Sequence, residues 1–149
     1  MSISEPAPSW SSKYLHPSPW EHHFEPMSVH EMFFAAVARA QAKPLADFMG
    51  RRFSYLQIAK LVRQVAKGLQ DLGIGRGDRV GLFLPNVPHY IAGYYGAMAA
   101  GATVVNFSPL YTVDELAHQV ADSGTTILFT ISSPMLLPTA LKVLDHSSL

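Results

Sequence analysis

Apolar residues recur along this chain with a helical period in several stretches, and short unbroken apolar runs lie between them. After Ser28, the residues Val29, Met32, Phe33, Ala36, Val37 and Ala40 fall on one helical face. Ser28 and Glu31 form the pattern of a capping box, in which a hydroxyl and a carboxylate satisfy the free N–H groups of a helix start. Lys43-Pro44 ends this helix, because the residue before a proline is driven out of the helical region. Leu45 to Met49 reads as a short strand, and Gly50-Arg51 as the turn into Arg52-Phe53. A second box, Ser54 with Gln57, opens a helix with the stripe Ile58, Leu61, Val62, Val65 and Leu69. Phe53 and Ile58 are placed for a hydrophobic staple, and Gly73 closes the helix.

From Arg79 the chain alternates between two periods. Arg79 to Leu84 is an apolar run of strand character. Asn86 is expected to cap the next helix, with Pro88 in its first turn and Tyr90, Ile91, Tyr94, Tyr95 and Met98 as its contacts. Gly101 ends it, and Thr103 to Phe107 forms another strand. Thr112 and Glu115 supply a third box, Leu116 and Val120 the helix contacts, and Gly124 the stop. Thr126 to Thr130 is expected as a strand and Pro134 to Leu144 as a helix. Strand and helix thus alternate three times, which predicts an α/β fold: a Rossmann-like, three-layer parallel sheet with helices on both faces and right-handed crossovers. The nearly all-apolar strands agree with burial on both faces.

Composition narrows the picture. Hydrophobic residues make up 48% and charged residues 15% of the 149 residues, as in a globular chain. Lys plus Arg equals Asp plus Glu, 11 each, and no five-residue basic run occurs, so nothing in the balance invites nucleic acid. There is no cysteine, which excludes disulfides, thiolate zinc sites and cysteine nucleophiles and suits a cytoplasmic protein. Residues 1–27 form a Pro-rich arm, broken by Pro6, Pro8, Pro17, Pro19 and Pro26, with no apolar secretion signal. Trp10, Tyr14, Trp20 and Phe24 can pin this arm to a surface. Val87 to Phe107 is free of charge and long enough to span a bilayer, but Gly101 and the β-branched run after it divide it into a buried helix and a buried strand.

Several motifs invite chemistry and have a plainer reading. Gly73-Ile74-Gly75-Arg76-Gly77 looks like a phosphate-cradling loop, yet it follows a helix and leads into a strand, the reverse of a dinucleotide fingerprint. His22-His23 lack the spacing of a helical zinc site, and no Gly-x-Ser-x-Gly elbow occurs. Asp114 and Glu115 sit where carboxylates favour a helix dipole. The candidate surface is the carboxyl end of the sheet, where Asn86, His89, Ser108 and Tyr111 follow strand ends. A cap, a helix surface, a turn and a core anchor, respectively, are the favoured readings of these four, because position at a strand end alone is weak evidence.

Three segments carry a family resemblance. Phe53-Ser54-Tyr55-Leu56-Gln57-Ile58 is similar to a first core motif of the type Leu-Thr/Ser-Tyr-x-Glu-Leu, with Gln57 in place of the usual acid. Ala99-Ala100-Gly101-Ala102-Thr103-Val104-Val105 is similar to the second, an Ala-Gly-centred helix-to-strand corner. Asn106-Phe107-Ser108-Pro109-Leu110-Tyr111-Thr112 resembles the fatty-acyl branch of the carboxylate–CoA ligases. Together they resemble the start of the large domain of acyl-CoA synthetases, in the AMP-forming adenylating-enzyme superfamily.

The resemblance implies an activity for the full-length family: a carboxylic acid, here a fatty acid, reacts with ATP and magnesium to give an acyl-adenylate and pyrophosphate, and the thiol of CoA then displaces AMP. In that family the phosphate loop, the ribose-binding aspartate, the magnesium-binding glutamate and the C-terminal-domain lysine come later along the chain. Ser123-Gly124-Thr125-Thr126 echoes the phosphate loop but continues into Ile127-Leu128-Phe129 without its lysine. The expectation is therefore a partial AMP-binding N-terminal subdomain over residues 28–149, a fragment inactive alone, with no catalytic, cofactor-binding or metal-binding residue assigned. The alternatives are a non-catalytic module that pairs with a ligase subunit through an exposed apolar edge, and an independent nucleotide binder.

Overall fold

The computed structural model describes residues 9–146. Pro6 and Pro8 of the expected arm and residues 147–149 lie outside it. The described arm holds one 3-10 turn, Ser11–Lys13, and an edge-to-face cluster of Trp10, Tyr14 and Trp20, with Trp10 and Trp20 4.4 Å apart. The regular elements are α1 (Val29–Ala40), β1 (Pro44–Phe48), β2 (Arg51–Ser54), α2 (Tyr55–Asp71), β3 (Arg79–Phe83), α3 (Pro88–Ala100), β4 (Thr103–Phe107), α4 (Val113–Ser123), β5 (Ile127–Phe129) and α5 (Leu136–His146).

The expected parallel sheet is present, with order β4-β3-β5. β3 lies in the middle, and Val80, Gly81, Leu82 and Phe83 are all buried. Its alternation sorts the core into two layers. Val80, Leu82 and Leu84 pack with Ala66 and Leu69 of α2 and Ala97 and Ala100 of α3. Phe83 packs the other way, with Phe107, Leu116, Val120, Leu136 and Val143 under α4 and α5. The chain moves from β3 to β4 beneath one helical layer and returns past β3 to β5 beneath the other. Opposite directions on opposite faces give both crossovers the same hand. The β1–β2 hairpin and α1 add a shelf outside α2 and α3, where Phe33 stacks on Tyr95 at 4.3 Å.

All three capping boxes form. The Ser28, Ser54 and Thr112 hydroxyls accept from the N–H of Glu31, Gln57 and Glu115, whose side chains reach back to the cap N–H. Phe53 and Ile58 meet in the shelf core, as a staple requires. At the end of α2, Gly73 takes φ 80°, which lets the Ile74 N–H reach back to the Leu69 carbonyl at 2.9 Å and seal the helix.

Other expectations need correction. The hairpin turn is Met49-Gly50, not Gly50-Arg51, with φ of 51° and 76°. A two-residue turn matched to the strand twist needs positive φ at both centres, so the residue before the glycine is drawn in. Asn86 does not cap α3. Pro88 occupies the first helical position, so the extended residue before it, Val87, becomes the cap and offers no side-chain bond. The fully buried face of α3 is Ala92, Gly93, Gly96, Ala97 and Ala100, while the expected Tyr90, Ile91, Tyr94, Tyr95 and Met98 are only half-buried. In α1, Phe33 and Val37 are buried but Met32 is 58% exposed. β5 is shorter than Thr126 to Thr130, and α5 begins after Pro134, with the Leu136 N–H bound to the Ser133 hydroxyl at 3.1 Å.

Small residues on α3 set the helix spacing. A Cβ on Gly96 would lie 2.6 Å from Val65 Cγ1 and 3.1 Å from the Val62 carbonyl oxygen of α2. Gly96→Ala is expected to destabilise the fold by about 1–3 kcal/mol through overpacking. Gly68, exposed on α2 with open space around it, is the control: Gly68→Ala is expected to stabilise by about 0.5–1 kcal/mol. Urea unfolding midpoints at constant slope check both.

The outer boxes also predict an acid response. Glu31 is held below the usual 4.5 by the Ser28 hydroxyl and N–H, and Glu115 by the Thr112 N–H and hydroxyl. Each carboxylate therefore contributes stability that is complete above pH 4.5 and fades as pH falls through its lowered folded value. The paired change Glu31→Gln and Glu115→Gln is expected to flatten that fall in urea midpoints across acid pH. Gln57, uncharged in the middle box, leaves its helix start indifferent to pH.

Candidate functional site

In an open parallel sheet, the crevice for a ligand opens where neighbouring strands send their chains to opposite faces. Here that point lies between β3 and β5: α3 follows β3 onto one face and α5 follows β5 onto the other. A crevice of about 210 Å³ opens at this place. Its apolar wall includes Leu61, Val65, Leu84, Ala92 and Phe129. Its polar members are Gln64 from α2, His89 from the first turn of α3, and Thr130 just past β5. The Thr130 Oγ1 is buried and, among the described residues, has no hydrogen-bond partner.

The four residues at the strand ends do not converge. His89 joins the crevice. Asn86, exposed, instead lines a separate hollow of about 240 Å³ beside Ala46, Asp47 and Phe48 of the hairpin. Buried Pro88 stands between them in sequence. Ser108 is a turn residue: its hydroxyl accepts from the Leu110 N–H at 3.2 Å, and its carbonyl from the Tyr111 N–H at 3.1 Å. Tyr111 packs against the core under α4 and α5. Gln64 and Thr130 were missed. A polar residue closing an apolar strand was the signal for Thr130, whereas nothing local in the sequence marked Gln64. A further tie is the Tyr90 hydroxyl, which donates to Asn106 Oδ1 at 2.8 Å and binds α3 to β4. Burial, and then the neighbouring Tyr94, hold that hydroxyl above its usual pKa of 10.0.

The glycine-rich loop and the Ser/Thr-rich segment lie at the opposite, amino ends of the strands. Asp78 closes the first by accepting from the Gly75 N–H at 2.8 Å. In the second, Ser123 bonds back to the Gln119 carbonyl at 2.6 Å and Gly124 ends α4. Asp114 and Glu115 occupy the first turn of α4. His22 and His23 are exposed on the arm. Among the described residues, no three His, Cys, Asp or Glu side chains gather as a metal site would require, and no helix is long and apolar enough to cross a membrane. Val87 to Phe107 instead divides into a helix with one buried face and a strand, as expected, but β4 lies at the sheet edge and only its Phe107 is buried.

The cap assignment at the head of α3 is directly testable. Asn86→Ala is expected to change stability by less than about 0.5 kcal/mol, as an exposed residue with no cap bond should. Ser54→Ala, which removes a formed cap, is expected to lose about 1 kcal/mol. Thermal unfolding of the two variants side by side decides it.

Residues 33–148 match the family model described as AMP-binding enzyme. A long-chain-fatty-acid–CoA ligase of Bacillus subtilis (strain 168) is 31% identical over 134 residues, 90% of this chain and 24% of the relative. One of Escherichia coli O6:H1 is 37% identical over 122 residues, 81% of this chain and 21% of the relative. This chain thus spans about a quarter of the length of the curated relatives it matches. Among solved structures, a benzoate CoA ligase from Burkholderia xenovorans LB400 superposes with a TM-score of 0.75 at 18% identity, over 83% of this chain and 25% of that one. That likeness bears on the fold.

Proposed function

Because this chain belongs to the AMP-binding enzyme family, we propose that it is the amino-terminal lobe of an adenylate-forming acid–CoA ligase of the fatty-acyl branch. One observation carries the reading: the family match runs unbroken from α1 through α5, over the elements that build the sheet and both helical layers. Residues 28–149 are the lobe, and residues 1–27 an arm preceding it. The proposed reaction joins a fatty carboxylate to the AMP moiety of ATP with release of pyrophosphate, after which the sulfur of CoA displaces AMP to leave the thioester. ATP and CoA place such an enzyme in the cytoplasm, and a chain without cysteine suits that compartment.

The groups that would hold ATP and magnesium are assigned to parts of the enzyme beyond this lobe. In support, the one glycine-rich loop is closed on Asp78 at the amino end of β3, and the Ser/Thr segment is a helix stop without a lysine. The donor set fits neither a triphosphate nor a magnesium ion.

A second reading, a non-catalytic module paired with a ligase subunit, draws on a different feature. β5 pairs only with β3 among the described residues, and an apolar hollow of about 370 Å³ runs beside it, walled by Val65, Leu69, Leu72 and Ile127. Either occupant, the rest of the enzyme or a separate subunit, would cover that strand edge.

Acid-dependent ATP–pyrophosphate exchange, measured with palmitate, tests both readings. The 149-residue chain alone is expected to show none. Grafted in place of the matching segment of the Bacillus subtilis ligase, it is expected to support exchange. Exchange by the short chain alone overturns the assignment of the ATP groups elsewhere. A folded graft without exchange overturns the ligase reading. Exchange restored by adding the remainder of the ligase as a separate chain favours the module.

A further inference from the structure

We propose that the crevice between the carboxyl ends of β3 and β5 is a binding site for a small monocyclic ring carrying one hydrogen-bonding substituent. The inference concerns the lobe itself and stands or falls apart from the ligase reading. Size comes first. A dry cavity of about 150 Å³ lined by Leu, Ile and Phe is large enough to take benzene. This crevice, partly open to solvent rather than enclosed, has about 210 Å³ and a wall that includes Leu61, Val65, Leu84, Ala92 and Phe129. It holds a six-membered ring plus a substituent and is smaller than the usual pocket for a drug-sized ligand, roughly 300–1,000 Å³.

Polarity comes second. Apolar wall with a few placed polar groups is the pattern of a ligand pocket. The exposed side chains of Gln64 and His89 reach the crevice from α2 and α3. Thr130 belongs to its wall, yet its hydroxyl is buried and unpaired among the described residues. A buried hydroxyl without a partner is unfavourable, and no bond holds this one in its present rotamer. A turn about χ1 to another staggered well moves the hydroxyl from that buried place and can present it to a bound substituent.

Location comes third. The crevice lies at the switch point of the sheet, where α3 and α5 diverge to opposite faces, and α2 supplies one of its walls. A pocket placed here by topology does not depend on any one loop.

The probes are benzene and phenol, titrated into the full 149-residue chain and followed by amide chemical shifts at Ala92, Gly93 and Ile131. Both are expected to shift these amides saturably, with phenol binding more tightly. Thr130→Val keeps the shape and removes the hydroxyl. It is expected to weaken phenol by roughly 3- to 10-fold, the worth of one hydrogen bond, and to leave benzene unchanged. The unliganded variant should be no less stable than the parent, because no bond is lost. Absence of saturable shifts with either probe overturns the site. Equal affinity for the two probes, or phenol binding indifferent to Thr130→Val, overturns the polar part of the assignment. The wild-type comparison of the probes needs no variant, so a failure of Thr130→Val to fold leaves the test intact. Probe binding and ATP–pyrophosphate exchange are separate readouts, so loss of one does not imply loss of the other.

Discussion

The rest of the molecule depends on how closely two helices sit over one strand. Among the described residues, β3 is the only strand of the parallel sheet with a neighbour on each side. Its buried residues face two separate cores, one beneath α2 and α3 and one beneath α4 and α5. Gly93 and Gly96 let α3 seat against Leu82 of the strand and against Val62 and Val65 of α2. Gly81 does the same on the opposite face, where a Cβ would strike the Phe107 ring, Leu128 and Thr125. Close-packed interiors tolerate little change of volume, so these small residues fix the distance between layers. The shelf of α1 and the hairpin rests on the helices so positioned, and the crevice exists because α3 starts where β3 ends.

This arrangement explains which parts were legible in the sequence. Capping boxes are local bargains between residues three apart, so Ser28, Ser54 and Thr112 announced their helices without knowledge of the fold. The strand–helix alternation after Arg79 was equally local and gave the parallel sheet. The face of α3 was not legible. That helix has no charged residue and is apolar all round, so no periodicity marks its inner side, and size misleads. Ile91 and Tyr95 reach outward to the shelf, where Tyr95 stacks on Phe33, Tyr90 and Tyr94 flank the sheet-side core, and the innermost places go to alanines and glycines.

The candidate site followed the same division. That ligands gather at the carboxyl ends of strands is a rule of topology, and it drew attention to Asn86, His89, Ser108 and Tyr111. Which of them share a cavity depends on strand order, and the order β4-β3-β5 is a non-local outcome. It moved His89 beside Thr130 and Gln64, left Asn86 against the hairpin, and committed Ser108 and Tyr111 to a turn and a core. Family membership adds the wider context: a lobe that carries the scaffold of an adenylating enzyme, with the crevice as a feature of its own.

Native-state hydrogen exchange tests the central claim most directly, because it ranks elements by the free energy needed to open them. If β3 anchors both layers, the amides of Val80, Leu82 and Phe83 exchange only by global unfolding, with α2 and α3 close behind, while the hairpin and the arm open far more readily. Exchange at β3 as fast as in the hairpin, or slowest protection in α4 and α5 alone, would contradict it.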